Sequence, residues 1–178
     1  ESIWGFRRHS LIQYLSWPKG HDEKMKLIRG TGENQWDKVF ILADPYIMAQ
    51  LPGYFALGLN QIAQEIIQGG AEVYIIQPWV EEALAVDQPT LNHHIYSVVQ
   101  NLSVPVGVVL AAKARQNLSK PEEVLINQNN GSQLIAQSIY QHVYEGASSI
   151  EELNKTPSEG WNKNSPFALC SLSSMNLT

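Results

Sequence analysis

Along this chain, short apolar runs that halt at proline or aspartate take turns with apolar residues at helical spacing. Val39-Phe40-Ile41-Leu42 is closed by Ala43-Asp44-Pro45-Tyr46, and Val73-Tyr74-Ile75-Ile76 is halted by Gln77-Pro78-Trp79. A third run, Val106 to Leu110, follows Pro105. Runs this short, bounded by turn residues, read as buried strands. Between the first two, Leu59, Ile62, Ala63, Ile66 and Ile67 fall at i, i+3, i+4, i+7 and i+8, one face of a helix. Gly69-Gly70 supplies the left-handed residue that helices often need at their C-terminal end. Leu91, Ile95, Val98, Val99 and Leu102 form a second stripe, and Leu134, Ile135, Ile139 and Val143 a third. Strands apolar along their whole length, separated by amphipathic helices, fit a parallel sheet covered on both faces. The expected fold class is therefore α/β, a three-layer α/β/α sandwich with a mainly parallel sheet, with helices over 59–68 and 132–145.

The pattern sets the expected domain boundaries: one α/β domain over 1–146 and a tail or linker over 147–178. Residues 1–36 hold Trp4, Phe6, Tyr14, Trp17 and Trp36 around one short apolar run, Leu11-Ile12, and Gly30-Thr31-Gly32 reads as a turn. Ser149-Ile150-Glu151-Glu152 has capping-box spacing for a short helix. Beyond it the chain is rich in Ser, Asn and Pro, with Trp161 and Phe167 as candidate anchors onto the domain, and no internal repeat is found.

Composition narrows the function classes. With 12 Lys plus Arg against 17 Asp plus Glu and a net charge of −5, the chain lacks the basic surface that displaces counterions from nucleic acid, so no nucleic-acid partner is expected. No apolar run nears the roughly 18 residues of a spanning helix, so no membrane span is expected. The single cysteine, Cys170, excludes an intrachain disulfide framework and a multi-cysteine zinc site. Glu1 is not an initiator methionine, which suggests a chain trimmed or cut from something larger. Asn-x-Ser/Thr occurs at Asn101, Asn117, Asn130, Asn154 and Asn176, a permissive signal that leans toward an exported protein.

The order of features resembles a known family. Trp36-Asp37-Lys38-Val39-Phe40-Ile41-Leu42 resembles the strand that introduces the third sequence block of SGNH (GDSL-like) hydrolases. Gly70-Ala71 with Glu72-Val73-Tyr74-Ile75-Ile76-Gln77-Pro78-Trp79 is similar to their next strand, and Val104-Pro105-Val106 to the one after. Asn130-Gly131-Ser132-Gln133-Leu134-Ile135-Ala136 with Ile139-Tyr140 looks like their closing helix. The resemblance spans about residues 36–146 and implies a flavodoxin-like sheet of SGNH type. It further implies a nucleophilic serine after the first strand, an oxyanion site built from backbone N–H groups with a Gly and an Asn, and an Asp-x-x-His pair before the final helix. The chemistry implied is ester hydrolysis, often removal of acyl groups from carbohydrates or lipids. A serine hydroxyl is a poor nucleophile until an imidazole takes its proton, and the oxyanion donors then stabilise the developing charge.

The departures fall on the catalytic positions. No Gly-Asp-Ser follows a strand, and Ala43-Asp44-Pro45-Tyr46 stands where the family carries Gly-x-Asn-Asp. Gly58-Leu59-Asn60-Gln61 mimics that motif by letters, but Leu59 belongs to a helical stripe, so the segment reads as helix. Glu122 to Asn130 runs into the last helix without a histidine. His9, His21, His93, His94 and His142 are the remaining imidazoles, each read as an ordinary surface histidine. His93-His94, placed at the start of a helix, point about 100° apart and form no i, i+4 metal pair. Neither a metal nor a cofactor is expected, and Asp44 is the one candidate for a catalytic role.

The candidate site residues lie at the expected ligand edge of an open α/β sheet, the C-terminal ends of its strands. Asp44 is the leading one, with turn initiation by Asp-Pro as its other reading. Asn127, Asn129 and Asn130 either line a cleft or cap the last helix. Trp79 is either a sugar-stacking platform or a plug beneath its loop, and Glu81-Glu82 reads as a solvated first turn. The expected function is an SGNH-hydrolase-like domain without the catalytic motifs, binding or structural in role, with a carbohydrate or small ester as its partner. One alternative is an active esterase whose nucleophile lies upstream of Glu1. Another is an unrelated doubly wound ligand-binding domain, although the chain has no G-x-G-x-x-G or G-x-x-x-x-G-K-[ST] phosphate loop.

Overall fold

The computed structural model describes residues 10–16, 21–31, 35–81, 86–126 and 128–145. His9, Glu82, Asn127, the Ser149 capping box, Trp161, Phe167, Cys170 and the sequons at Asn154 and Asn176 lie outside the described residues. The described chain is mixed α/β. Two short helices, α1 (Leu11–Ser16) and α2 (His21–Arg29), precede β1 (Lys38–Ile41), α3 (Pro45–Gln50) and α4 (Pro52–Gln68). Then come β2 (Glu72–Ile76), α5 (Gln88–Gln100), β3 (Gly107–Val109), α6 (Ala111–Gln116), a 3₁₀ turn over Pro121–Glu123, and α7 (Asn129–Glu145).

The three strands form a parallel sheet in the order β1-β2-β3. Val39 lies opposite Val73 and Ile41 opposite Ile75, while Ile75 lies opposite Val108 and Ile76 opposite Val109. Successive strand residues point to opposite faces, and the apolar pattern follows. Val39, Ile41, Val73, Ile75 and Val108 join one cluster with Met48 of α3, Phe55, Leu59, Ile62 and Ile66 of α4, and Leu91, Ile95 and Val98 of α5. Phe40, Tyr74, Ile76 and Val109 join a second with Ala111 and Ala112 of α6 and Leu134, Ile135 and Ile139 of α7. The three apolar runs read as strands are thus strands, β1 shifted back by one residue, β2 one residue longer at its start and β3 one residue shorter at each end.

The expected helix over 59–68 begins seven residues earlier, at Pro52. Proline suits the first helical turn because its missing N–H has no intrahelical partner there, and Phe55 and Ala56 extend the buried stripe backwards. Gly58-Leu59-Asn60-Gln61 is helical, and its first three residues have packing roles. A Cβ on Gly58 would meet Leu11 Cβ of α1 at 2.7 Å, Leu59 is in the core, and Asn60 Oδ1 accepts from Ser103 N at 3.1 Å and Ser103 Oγ at 2.8 Å. α7 begins at Asn129, three residues ahead of the expected 132.

α4 closes with a left-handed Gly70 at φ 92°. Gly70 N donates to Ile67 O at 2.9 Å and Ala71 N to Ile66 O at 3.4 Å, the paired bonds of a Schellman cap. α2 ends the same way, with Gly30 at φ 62° donating to Leu27 O and Thr31 N to Lys26 O, both at 3.0 Å. A Cβ on Gly70 would meet nothing within 4 Å, so its cost is conformational alone. Gly70→Ala is therefore expected to lower the unfolding free energy by about 1 kcal/mol, read by urea denaturation; no loss would show that the cap relaxes to another conformation.

Candidate functional site

The C-terminal ends of the three strands carry a polar cluster that is built around β2 and α5. Gln77 follows the last residue of β2, and its N–H donates to Val109 O at 2.9 Å, carrying the strand pairing one step beyond the sheet. Its side chain is 2% exposed. Gln77 Nε2 donates to Asn92 Oδ1 at 2.7 Å, and Gln88 Nε2 donates to the same oxygen at 2.9 Å. Gln88 also closes the loop after β2, its Nε2 donating to Pro78 O at 3.2 Å and its Oε1 accepting from Val80 N at 2.8 Å. Three amides from two elements thus fasten the loop to the first turns of α5. Buried polar groups are stabilising only when paired, and here Gln77 Oε1 is left without a hydrogen-bond partner in the protein.

Asp44 sits where the sequence placed it, at the end of β1, but its carboxylate is used locally. It is the N-cap of α3, with Oδ1 accepting from Tyr46 N at 2.8 Å and Pro45 opening the helix. A side-chain oxygen in that position satisfies one of the N–H groups that a helix start leaves open. Asn130 lies in the first turn of α7, exposed, with Nδ2 donating to Glu123 O and Oδ1 accepting from Gly131 N, both at 2.8 Å. No hydrogen bond of the described residues joins Asp44 to Asn130.

Trp79 is 1% exposed and packs with Ile76, Val109, Ala111, Ala112, Val124 and Leu134. The Arg115 guanidinium lies 5.6 Å from the ring centroid, and Arg115 Nε donates to Val124 O at 3.0 Å. The indole is covered, so of the two expectations for it the plug matches its position, and it has no open face for a sugar. Its Nε1–H is buried without a partner.

Two expectations are corrected. Glu81 is not a solvated first turn. It lies in the loop after β2, half-buried, with Oε1 accepting from Ile126 N at 2.9 Å, because α5 starts only at Gln88, behind an Asp87 cap. That late loop and early cap also move His93 and His94 from a helix start into the second turn of α5. His94 is not a surface histidine. It is 6% exposed, and its Nδ1 lies 3.3 Å from Met48 O in α3. A carbonyl only accepts, so this contact places the ring hydrogen on Nδ1. The signal for burial was in the sequence: His94 falls three residues after Leu91 and four before Val98, on the same stripe. Asn92, three before Ile95, carries the same signal, whereas nothing local marks Gln77, whose burial follows from strand pairing carried one step past the apolar run.

Burial pushes the His94 imidazole below its ordinary value near 6.5, the Met48 carbonyl partly offsets this, and neighbouring His93 adds to it. A folded-state value below the unfolded one means that the unfolded chain binds the proton more readily. Stability from His94 is then complete above about pH 6.5 and is lost as pH falls through the lower folded value. Urea midpoints taken from pH 7.5 down to pH 5 are expected to fall for the parent and to fall less for His94→Gln; parallel curves would remove His94 as the cause.

At the opposite end of the sheet a shallow cavity of about 670 Å³ has Ile67, Val73, Val99 and Leu102 in its lining together with Glu72 and Tyr74. The Glu72 carboxylate is already engaged. It pairs with Lys38 Nζ at 2.6 Å and accepts from the Tyr74 hydroxyl, which holds it below the usual carboxylate range. The His142 and Tyr74 rings lie nearly perpendicular, with centroids 5.2 Å apart. Among the described residues no three His, Cys, Asp or Glu come together as a metal site, and no helix is long and apolar enough to cross a membrane. Comparison of the chain with protein-family models, with curated proteins and with solved structures gives no match.

Proposed function

We propose that this chain is a non-catalytic α/β domain of SGNH (GDSL-like) type, a three-layer α/β/α sandwich with a flavodoxin-like parallel sheet, whose role is binding or structural. The layered reading is supported by the parallel order β1-β2-β3 and by an apolar cluster on each face, one shared with α3, α4 and α5 and the other with α6 and α7. The single observation that carries the functional reading is how the polar groups at the strand ends are used. Asp44 caps a helix, Gln77, Gln88 and Asn92 fasten a loop, Glu81 holds Ile126 N, and His94 spends Nδ1 on a main-chain carbonyl inside the core.

A catalytic imidazole needs one nitrogen free to face a nucleophile and the other oriented by an acceptor. His94 has an orienting acceptor, yet its near-complete burial keeps substrate from the remaining nitrogen. A carbohydrate or small ester remains the partner class that the family resemblance suggests. The test is hydrolysis of a small aryl acetate by the whole chain, with and without a serine-directed organophosphonate. Turnover no faster than buffer is expected. Robust hydrolysis abolished by the inhibitor would replace this reading with that of an active esterase.

A further inference from the structure

Seven large apolar side chains are exposed among the described residues, and five of them fall close together in sequence: Leu42 just after β1, Tyr46 in α3, Leu51 between α3 and α4, and Tyr54 and Leu57 in the first half of α4. From Pro45 to Gln64 the chain holds no Asp, Glu, Lys, Arg or His, although 16% of all residues are charged. On α4, Tyr54 at 60% and Leu57 at 40% exposure, with the exposed Gln61, recur at i, i+3 and i+7. They make an outward stripe on the side of the helix away from buried Phe55, Leu59, Ile62 and Ile66.

We propose that this uncharged surface of α3 and α4 is a self-association face that meets the same face of a second copy across a twofold axis. Charge selects the occupant. A charged partner would lose hydration against a stretch that offers no counter-charge. A lipid surface is disfavoured because interfacial helices carry Lys or Arg on their polar side, which residues 45–64 lack, and because the net charge of −5 opposes anionic headgroups. A second copy presents an equally uncharged surface, and an isologous contact needs only a patch that complements itself. Exposed tyrosines and missing charges are also the composition of interface cores.

The area sets the strength. With about 150–250 Å² per aromatic side chain, the two tyrosines expose on the order of 200 Å², and with Leu51 and Leu57 the uncharged stretch exposes on the order of 350 Å². That is about half of the ~800 Å² per partner of a standard stable interface, so a reversible dimer is expected rather than an obligate one.

Sedimentation velocity of the whole chain tests this. At about 200 µM, well above a micromolar dissociation constant, the expected species is a dimer of twice the 19.9 kDa chain mass. Dilution to about 1 µM should return the monomer. Tyr54→Glu/Leu57→Glu should be monomeric throughout, whereas Leu118→Glu, which charges an exposed leucine after α6, should behave as the parent. If the double variant fails to fold by circular dichroism, Gln61→Arg removes no apolar atom and should weaken the dimer at least tenfold by setting like charges across the axis. A monomeric parent at the higher concentration would overturn the proposal, as would a dimer that survives the folded variants. Co-sedimentation of a monomeric parent with phosphatidylcholine vesicles, lost on Tyr54→Glu/Leu57→Glu, would overturn it in favour of a lipid surface.

Discussion

Trp79→Ala is expected to lower the unfolding free energy by about 4 kcal/mol, among the largest losses that a single core truncation gives. The indole is buried among residues from β2, β3, α6 and α7, so its removal leaves a cavity where several elements meet. Aromatic truncations carry both the lost transfer energy and the cost of the void, because a close-packed interior relaxes only in part. Trp79→Phe separates packing from polarity. It keeps an aromatic plug and deletes the buried Nε1–H that has no partner, and an unsatisfied buried donor costs about 1–3 kcal/mol. The Phe variant should therefore lie within about 1.5 kcal/mol of the parent, the smaller ring offset by the lost orphan donor. Urea denaturation of the three proteins checks both values. A loss below about 2 kcal/mol for the Ala variant would show that the indole is not the plug its burial indicates.

The second large effect is expected at Gly69. Its φ of −75° is available to any residue, so no conformational penalty attaches to it. The constraint is the carbonyl of Arg29 at the end of α2: a Cβ on Gly69 would lie 1.6 Å from that oxygen. Backbone cannot yield as a side-chain tip can, so Gly69→Ala must push α2 away from α4. The cost is expected to be about 3 kcal/mol, the upper part of the overpacking range, against about 1 kcal/mol for Gly70→Ala one residue later. The displaced helix carries Ile28 into the core margin and the Leu27 carbonyl that accepts from Trp36 Nε1 at 2.7 Å. The half-buried Arg29–Glu65 ion pair at 2.5 Å adds little, because solvent still reaches and screens it. Trypsin should cleave α2 at Lys24, Lys26 or Arg29 faster in Gly69→Ala than in the parent. Equal cleavage and equal stability would mean that the α2–α4 contact is looser than its geometry.

These two neighbours show where the sequence was legible. Gly69-Gly70 announces a helix end, and the helix does end there, with Gly70 left-handed. Which glycine answers to backbone conformation and which to a passing carbonyl depends on α2, an element some forty residues away. The same division runs through the candidate site. Asp44-Pro45 carries a local turn signal, and a helix cap is what forms. Gln77, Asn92 and His94 are polar letters inside or beside apolar patterns, and their burial follows from β2 and α5 being pressed together and from Met48 of α3 reaching the imidazole.

By itself the sequence determined the local frame: three short strands, the main amphipathic helices and the glycine stops between them. Periodicity, caps and positive-φ residues act within a few positions along the chain, so they can be read without knowing the fold. Only the tertiary structure decided that Trp79 is a plug, that Glu81 ties a loop to Ile126 N, and that the amides at the strand ends hold one another. Those outcomes depend on which groups meet across long sequence separations. A buried polar group takes whichever partner packing brings to it, and composition and spacing do not encode that choice.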